Sequence, residues 1–229
     1  MSELRIAHLY PKLLNIYGDG GNISALKCRC EWRGIKVSVD EINVGDDIAE
    51  HDIYFIGGGQ DKQQIEVAYE LQKRKEFLTK ERDRMAVFLG ICGGYQLMGH
   101  YYQPHNGEKL PGISLLDAYT IAGNNRFIGN VTAVTSYTEP NTLVGFENHC
   151  GRTYSNHDCL GDVIKGFGNN DTDKKEGLVY KNFIGTYLHE PVLPKNPHLA
   201  DYLILKALQN KYNIDSLEKL DDSIEMKAH

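Results

Sequence analysis

One run, Met85 to Gly99, constrains this chain more than any other: Met-Ala-Val-Phe-Leu-Gly-Ile-Cys-Gly-Gly-Tyr-Gln-Leu-Met-Gly. Met85–Leu89 is uninterruptedly apolar and predicts a strand buried on both faces of a sheet. Gly90 to Gly94 predicts a sharp turn around Cys92, and Tyr95–Met98 predicts the first turn of a helix. A strand, a glycine-flanked nucleophile and a helix make a nucleophile elbow. Such a turn presents the sulfur in an exposed backbone position, and small neighbours let a substrate approach. The helix start aims free N–H groups and a positive dipole end at the sulfur, which favours thiolate. The N–H of Gly93 is placed to stabilise an oxyanion.

The chain has 229 residues, 41% of them hydrophobic, which suits a single α/β domain over 1–229. A net charge of −6 argues against a nucleic-acid or anionic-membrane surface. No apolar run is long enough to span a membrane, and the chain enters a strand at Leu4–Leu9 without a leader, so a cytoplasmic protein is expected. Five cysteines, an odd number, suit a reduced compartment. Cys28-Arg29-Cys30 is too close a pair for a zinc knuckle and has no second half, so no metal site is expected and the pair reads as helix packing.

The first strand stops at Tyr10-Pro11 and is followed by a polar, Gly-rich loop, Asn15–Asn22. Loops of this kind lie at the carboxyl edge of a parallel sheet, where ligands bind. The loop lacks Gly-x-Gly-x-x-Gly spacing, so a dinucleotide fingerprint is not supported. Asp19 either orients a catalytic group or caps the helix beginning near Asn22. Residues 23–33 predict a helix with Ile23, Leu26, Cys30 and Trp32 inward, Ile35–Val39 a second strand, and Asp52–Ile56 a third. Gly57-Gly58-Gly59 after that strand marks close backbone approach to a ligand, and no Walker Lys-Ser/Thr ending follows. Residues 62–83 predict an amphipathic helix with Ile65, Ala68, Leu71 and Phe77 on its apolar face.

Beyond the elbow, Tyr101–Pro111 reads as irregular, while Val131–Val134 and Leu143–Glu147 read as antiparallel additions. Arg126 stands alone among small polar residues, and an arginine can hold a carboxylate with two parallel hydrogen bonds; the plainer reading is a surface arginine. Phe146–Thr153 reads as a loop, so His149 lacks a strand end to fix it. Phe183–Leu188 predicts the second strand of a late hairpin, ending at His189-Glu190-Pro191. A histidine there is placed to reach a nucleophile on another strand end. Pro197–Asn210 predicts a terminal helix, and the charged segment from about 212 is expected to be partly disordered.

Gly-Ile-Cys-Gly-Gly-Tyr-Gln resembles the Gly-x-Cys-x-Gly-x-Gln motif of class I glutamine amidotransferases. Tyr-Gly-Asp at 17–19, Gly-Gly-Gly-Gln-Asp at 57–61, Arg-x-x-Gly-Asn at 126–130, Gly-Phe-Glu-Asn-His at 145–149 and Gly-Thr-Tyr-Leu-His at 185–189 resemble the cobyric-acid-synthase-like branch. Within that branch they match glutaminase subunits that serve the amidation of lipid II. The resemblance implies a flavodoxin/Rossmann-like, mostly parallel sheet with helices on both faces. It implies Cys92 as nucleophile, His189 as base, and oxyanion amides from Gly58, Gly59 and Gly93. It also implies glutamine binding by Arg126, Gln96 and Gln60. The usual His-x-Glu acid is absent because Pro191 stands in its place, leaving Asp19, Glu190 or a Cys92–His189 dyad.

The chain carries parts for making ammonia and no ATPase motif. The resemblance therefore implies a heterodimer with a MurT-like, Mur-ligase-family partner, which holds ATP and Mg and amidates the D-glutamate α-carboxyl of lipid II. No cofactor is expected on this chain. A glutaminase for another acceptor, such as cobyrinate, and a non-catalytic amidotransferase-like module remain as alternatives at this point.

Overall fold

The computed structural model describes residues 2–229. The elements run β1 (Glu3–Leu9), α1 (Gly20–Glu31), β2 (Lys36–Ile42), β3 (Ile53–Ile56), α2 (Asp61–Asp83), β4 (Val87–Ile91) and α3 (Gly93–Met98). Next come β5 (Tyr101–Gln103), β6 (Leu110–Pro111), β7 (Ala118–Val134), β8 (Thr142–Ser155) and β9 (Gly161–Lys165). Then follow β10 (Lys175–Glu176), β11 (Leu178–Tyr180), β12 (Phe183–Thr186), α4 (Val192–Lys195), α5 (Pro197–Tyr212) and α6 (Glu225–Ala228).

Two sheets carry the structure. The first has the order β11-β12-β4-β3-β1-β2, parallel throughout except for the antiparallel edge strand β11. Read from β2, the parallel part has the flavodoxin-type order, with its switch point between β1 and β3. β3 and β4 are buried at every position, as strands covered on both faces must be. The expected parallel architecture is observed. The second sheet, β10-β9-β7-β5-β6 with β8 also on β7, is far larger than the two short antiparallel additions expected. Val131–Val134 does pair with Thr142–Gly145, but this is one end of a ladder that continues to Ala118↔Ser155.

Several local expectations shift. Met85 is not part of β4: it takes a left-handed conformation (φ 69°) as α2 ends, its side chain is partly exposed, and the strand begins at Val87. Trp32 is 60% exposed rather than inward. In α2 the buried stripe runs through Gln64, Ala68, Leu71 and Leu78, which leaves Ile65 outside at 44% exposure. Tyr101–Pro111 contains the β5–β6 hairpin. Phe146–Thr153 lies within β8 and is not a loop.

The segment after α5 packs against the body. Asp222 pairs with Arg29 Nη1 at 2.6 Å, while Asp201 takes Arg29 Nε at 2.7 Å and Arg33 Nη2 at 2.6 Å. The His229 ring lies 2.7 Å from Thr142 Oγ1. No helix among the described residues is long and apolar enough to cross a membrane. Because the Arg29 side chain is only 4% exposed, removing it takes from Asp222 the guanidinium it pairs with and leaves Asp201 to Arg33 alone, at the boundary of the core. Arg29→Ala is expected to destabilise the fold by about 3 kcal/mol in urea denaturation, and to speed proteolytic clipping after residue 212.

Candidate active site

Four neighbouring strand ends build the site. β1 leads into a short 3-10 turn, Ile16–Gly18, and then Asp19; β3 leads into Gly57–Gly59; β4 into Cys92; and β12 into His189. These are carboxyl ends at and beside the switch point, where α/β sheets place ligands.

Cys92 has φ 47° and ψ −106°, a strained backbone conformation for a residue with a Cβ. Its N–H donates to Thr186 O at 2.8 Å, and its own carbonyl accepts from Gln96 N at 2.9 Å. The elbow thus ties β12 to α3. Its tightness comes from Gly94: an added Cβ would stand 2.6 Å from Ile56 O and 2.7 Å from Gly57 O.

His189 lies three residues beyond β12 rather than at its last position. It is held there by a bridge to β8, with His189 N donating to Phe146 O at 2.8 Å. Its side chain is wholly buried. Burial alone would lower its pKa; negative charge on Cys92 and Asp19 outweighs that and pushes it up to about 10. The surroundings thus favour the imidazolium form beside Asp19.

Asp19 is the acid that faces this histidine. Its Oδ1 lies 3.5 Å from His189 Nδ1, the separation of an ion pair rather than a tight hydrogen bond. Its Oδ2 accepts from Gly58 N at 2.7 Å. It makes no side-chain cap to α1; Asn15 Oδ1 accepts from Gly20 N instead. Glu190 is drawn away by Lys195, at 2.8 Å.

The oxyanion expectation needs one correction. The Gly58 N–H already serves Asp19, so Gly58 is not a free donor. What the structure requires of Gly58 is the lack of a side chain: a Cβ there would meet His189 Cε1 at 3.0 Å and Ile16 Cγ2 at 2.9 Å. Gly59 N, in contrast, lies only 3.2 Å from where a Gly93 Cβ would stand, so these two amides are neighbours.

A cavity of about 330 Å³ opens over Cys92, lined also by Gly59, Gln60, Gln96, Arg126 and His149. Every residue expected to bind substrate borders it. Arg126 gets there by a bulge: between Ala122↔Gly151 and Phe127↔His149, β7 carries extra residues that its partner lacks. Bulges re-aim side chains, and this one presents Arg126. Gln96 is buried, donates to Tyr187 Oη at 3.1 Å and accepts from Gln64 Nε2 at 3.3 Å.

His149 borders the cavity without resembling a base. It stacks on Tyr187 at 3.6 Å, its Nδ1–H donates to Gly151 O at 2.9 Å, and burial lowers its pKa. Sequence reasoning missed Gln64 and Glu176. Gln64 fills the space a Gly93 side chain would need, with Nε2 2.1 Å from that Cβ position. A glutamine on a charged helix reads as surface, and only the rotation of α2 reveals it. Glu176 is wholly buried; its Oε1 accepts from Tyr187 N at 2.9 Å and from the Thr186 hydroxyl. It holds the segment that leads to His189.

A strained cysteine, a buried histidine and a carboxylate stand together at adjacent strand ends of an α/β sheet, an arrangement able to carry cysteine-dependent acyl transfer. Solved structures support this fold. PurLQS from Thermotoga maritima matches with a TM-score of 0.60 at 15% identity over 93% of this chain and 99% of that one. A glutamine amidotransferase from Thermotoga maritima matches with a TM-score of 0.54 at 15% identity over 92% and 84%. Residues 5–197 match the CobB/CobQ-like glutamine amidotransferase domain, and the chain belongs to that family. Among curated relatives, the GatD subunit of the glutamine-hydrolysing lipid II isoglutaminyl synthase of Staphylococcus aureus is 46% identical over 100% of this chain and 94% of its own. The GatD subunit of Streptococcus pneumoniae is 43% identical over 93% and 84%. A cobyric acid synthase of Listeria innocua is 29% identical over 76% of this chain and 38% of its own.

Two outcomes are expected. Gly58→Ala should lower glutamine hydrolysis by about 100-fold through displacement of His189, measured as glutamate release, and should lower the melting temperature with it. The second concerns Glu176, whose carboxyl burial pushes up to about 7 from its ordinary 4.5. Between those values the native state keeps a proton that the unfolded chain has lost. The stabilising contribution is therefore full below about 4.5 and is lost as pH rises through about 7. Glu176→Gln should flatten the fall in melting temperature across that window.

Proposed function

We propose that this chain is the glutamine-hydrolysing subunit of a lipid II isoglutaminyl synthase. The observation that carries the chemistry is the alignment of Cys92, His189 and Asp19 in one buried cluster beneath the cavity. The assignment to lipid II amidation is supported by near full-length similarity to two GatD subunits.

The reaction is acyl transfer from the side-chain amide of glutamine. Arg126 takes the α-carboxylate at the cavity mouth, and Gln60 and Gln96 border the rest of the substrate. Cys92 Sγ attacks the side-chain carbonyl carbon. Negative charge develops on its oxygen between the amides of Gly59 and Gly93; each such donor contributes about 3 kcal/mol. His189, held protonated beside Asp19, gives its proton to the departing nitrogen, and ammonia leaves. A water, deprotonated by His189, then cleaves the γ-glutamyl thioester to glutamate and restores the thiolate–imidazolium pair. Asp19 orients the imidazole and balances its charge, the role a third acid plays in such sites.

Ammonia needs an activated acceptor. We assign that step to a separate MurT-like, Mur-ligase-family partner. It would bind ATP and Mg, activate the D-glutamate α-carboxyl of lipid II and form a heterodimer with this chain in the cytoplasm.

Cys92→Ser is expected to abolish glutamate release from glutamine; undiminished release rejects the nucleophile. Arg126→Lys is expected to raise KM by about tenfold with a smaller change in kcat, since a bidentate grip on the carboxylate is mostly uniform binding. Amidation of lipid II should require both chains, ATP and glutamine. Amidation by this chain alone, or failure of the two chains to associate, overturns the two-subunit reading.

A further inference from the structure

The cavity mouth holds a connection that the mechanism leaves unused. Asn148 lies on β8, in register with Ile128 of β7, just past the bulge. Its Oδ1 accepts from Arg126 Nε, and its backbone oxygen accepts from Arg126 Nη2 at 3.2 Å. Its Nδ2 donates to Tyr17 Oη at 2.6 Å. Tyr17 stands in the 3-10 turn two residues before Asp19, in a left-handed conformation (φ 55°). Its ring meets His189 edge-on at 5.1 Å. All three residues line the cavity over Cys92.

An exposed arginine on a bulge has many rotamers, and gripping a carboxylate from among them costs entropy. Two bonds to one residue remove much of that freedom in advance. They occupy Nε and one side of the guanidinium, and Nη1 is turned toward Cys150 Sγ at 3.6 Å. Asparagine suits this task because it is neutral. It accepts from the guanidinium without cancelling the charge that a carboxylate ligand needs, and its second amide atom is a donor for Tyr17. The connection spans the two sheets, from the β7 bulge to the loop that carries Asp19.

We propose that Asn148 is a positioning residue. It presets Arg126 for the substrate's α-carboxylate and, through Tyr17, fixes that grip relative to the Asp19–His189 side of the site. The proposal rests on the reading of Arg126 as the carboxylate ligand.

The probe is 6-diazo-5-oxo-L-norleucine, which keeps the α-carboxylate of glutamine. Its diazo carbon takes the proton of the thiolate–imidazolium pair, and Cys92 Sγ then displaces dinitrogen to form the thioether. Mass spectrometry of the labelled chain gives a half-saturating concentration and a limiting rate; iodoacetamide, which has no carboxylate, reports on the elbow alone. Asn148→Ala is expected to raise the half-saturating concentration by about fivefold or more, leaving the limiting rate and the iodoacetamide rate within about twofold. Tyr17→Phe should shift it in the same direction by less. Asn148→Asp should shift it further than Asn148→Ala, because it sets a negative charge beside the carboxylate. An unchanged half-saturating concentration in Asn148→Ala, with a raised one in Arg126→Ala, overturns the proposal and leaves the reading of Arg126 standing. Unchanged values in both overturn that reading and the proposal with it. A changed iodoacetamide rate in Asn148→Ala overturns the proposal by placing the effect on the elbow.

Discussion

A fully buried carboxylate, Asp19, sets the terms for the rest of the structure. An unpartnered charge at that depth would cost several kcal/mol. Asp19 is tolerated because Gly58 donates its amide at 2.7 Å and the His189 imidazole, whose charged form its surroundings favour, stands 3.5 Å away. Asp19 and these two partners come from the ends of three strands, β1, β3 and β12, so the charge is satisfied only when all three are in place. The same contacts bring His189 to Cys92. Stability and catalytic geometry therefore rest on one set of interactions, and a side chain at Gly58 would disrupt both.

The two sheets divide the work. The parallel sheet supplies Cys92, His189, Asp19 and the Gly59–Gly93 amide pair from adjacent carboxyl ends. The antiparallel sheet supplies the wall opposite, with Arg126 aimed inward by the bulge and His149 and Asn148 carried by β8. Tyr187 joins them. Its backbone N–H reaches Glu176, its ring stacks on His149, and its hydroxyl lies 2.6 Å from Thr153 Oγ1 and 3.1 Å from Gln96 Nε2. The segment leading to His189 is thus braced from both sheets.

His149 and His189 show how placement alone separates two similar residues. Both are buried and both border Cys92 or its cavity. His149 has a carbonyl acceptor, an aromatic face and one acidic neighbour, Glu147, at 3.6 Å, and burial outweighs that neighbour and lowers its pKa. His189 has negative neighbours, and burial is outweighed. Of the two, His189 is the one placed for the proton transfer proposed above.

The sequence by itself determined the elements whose signals are local. Apolar runs bounded by glycine named the core strands; Gly90 to Gly94 around Cys92 named the elbow; and motif resemblance named His189, Arg126 and Gln96. Where it erred, the cause was long-range. Gly58 reads as an oxyanion donor until Asp19, thirty-nine positions earlier, takes its amide. Met85 reads as strand until the end of α2 claims it. Nothing local marks Gln64 and Glu176, which helix rotation and sheet packing bury. The alternation of β8 was masked by its charged and polar inward residues, Glu147, His149 and Arg152, all buried in the structure. That Asp19 faces His189 while Glu190 turns to Lys195 was likewise a tertiary matter. Periodicity reports which faces are apolar, but a buried polar contact is fixed by which distant partner satisfies it, and no local pattern carries that information.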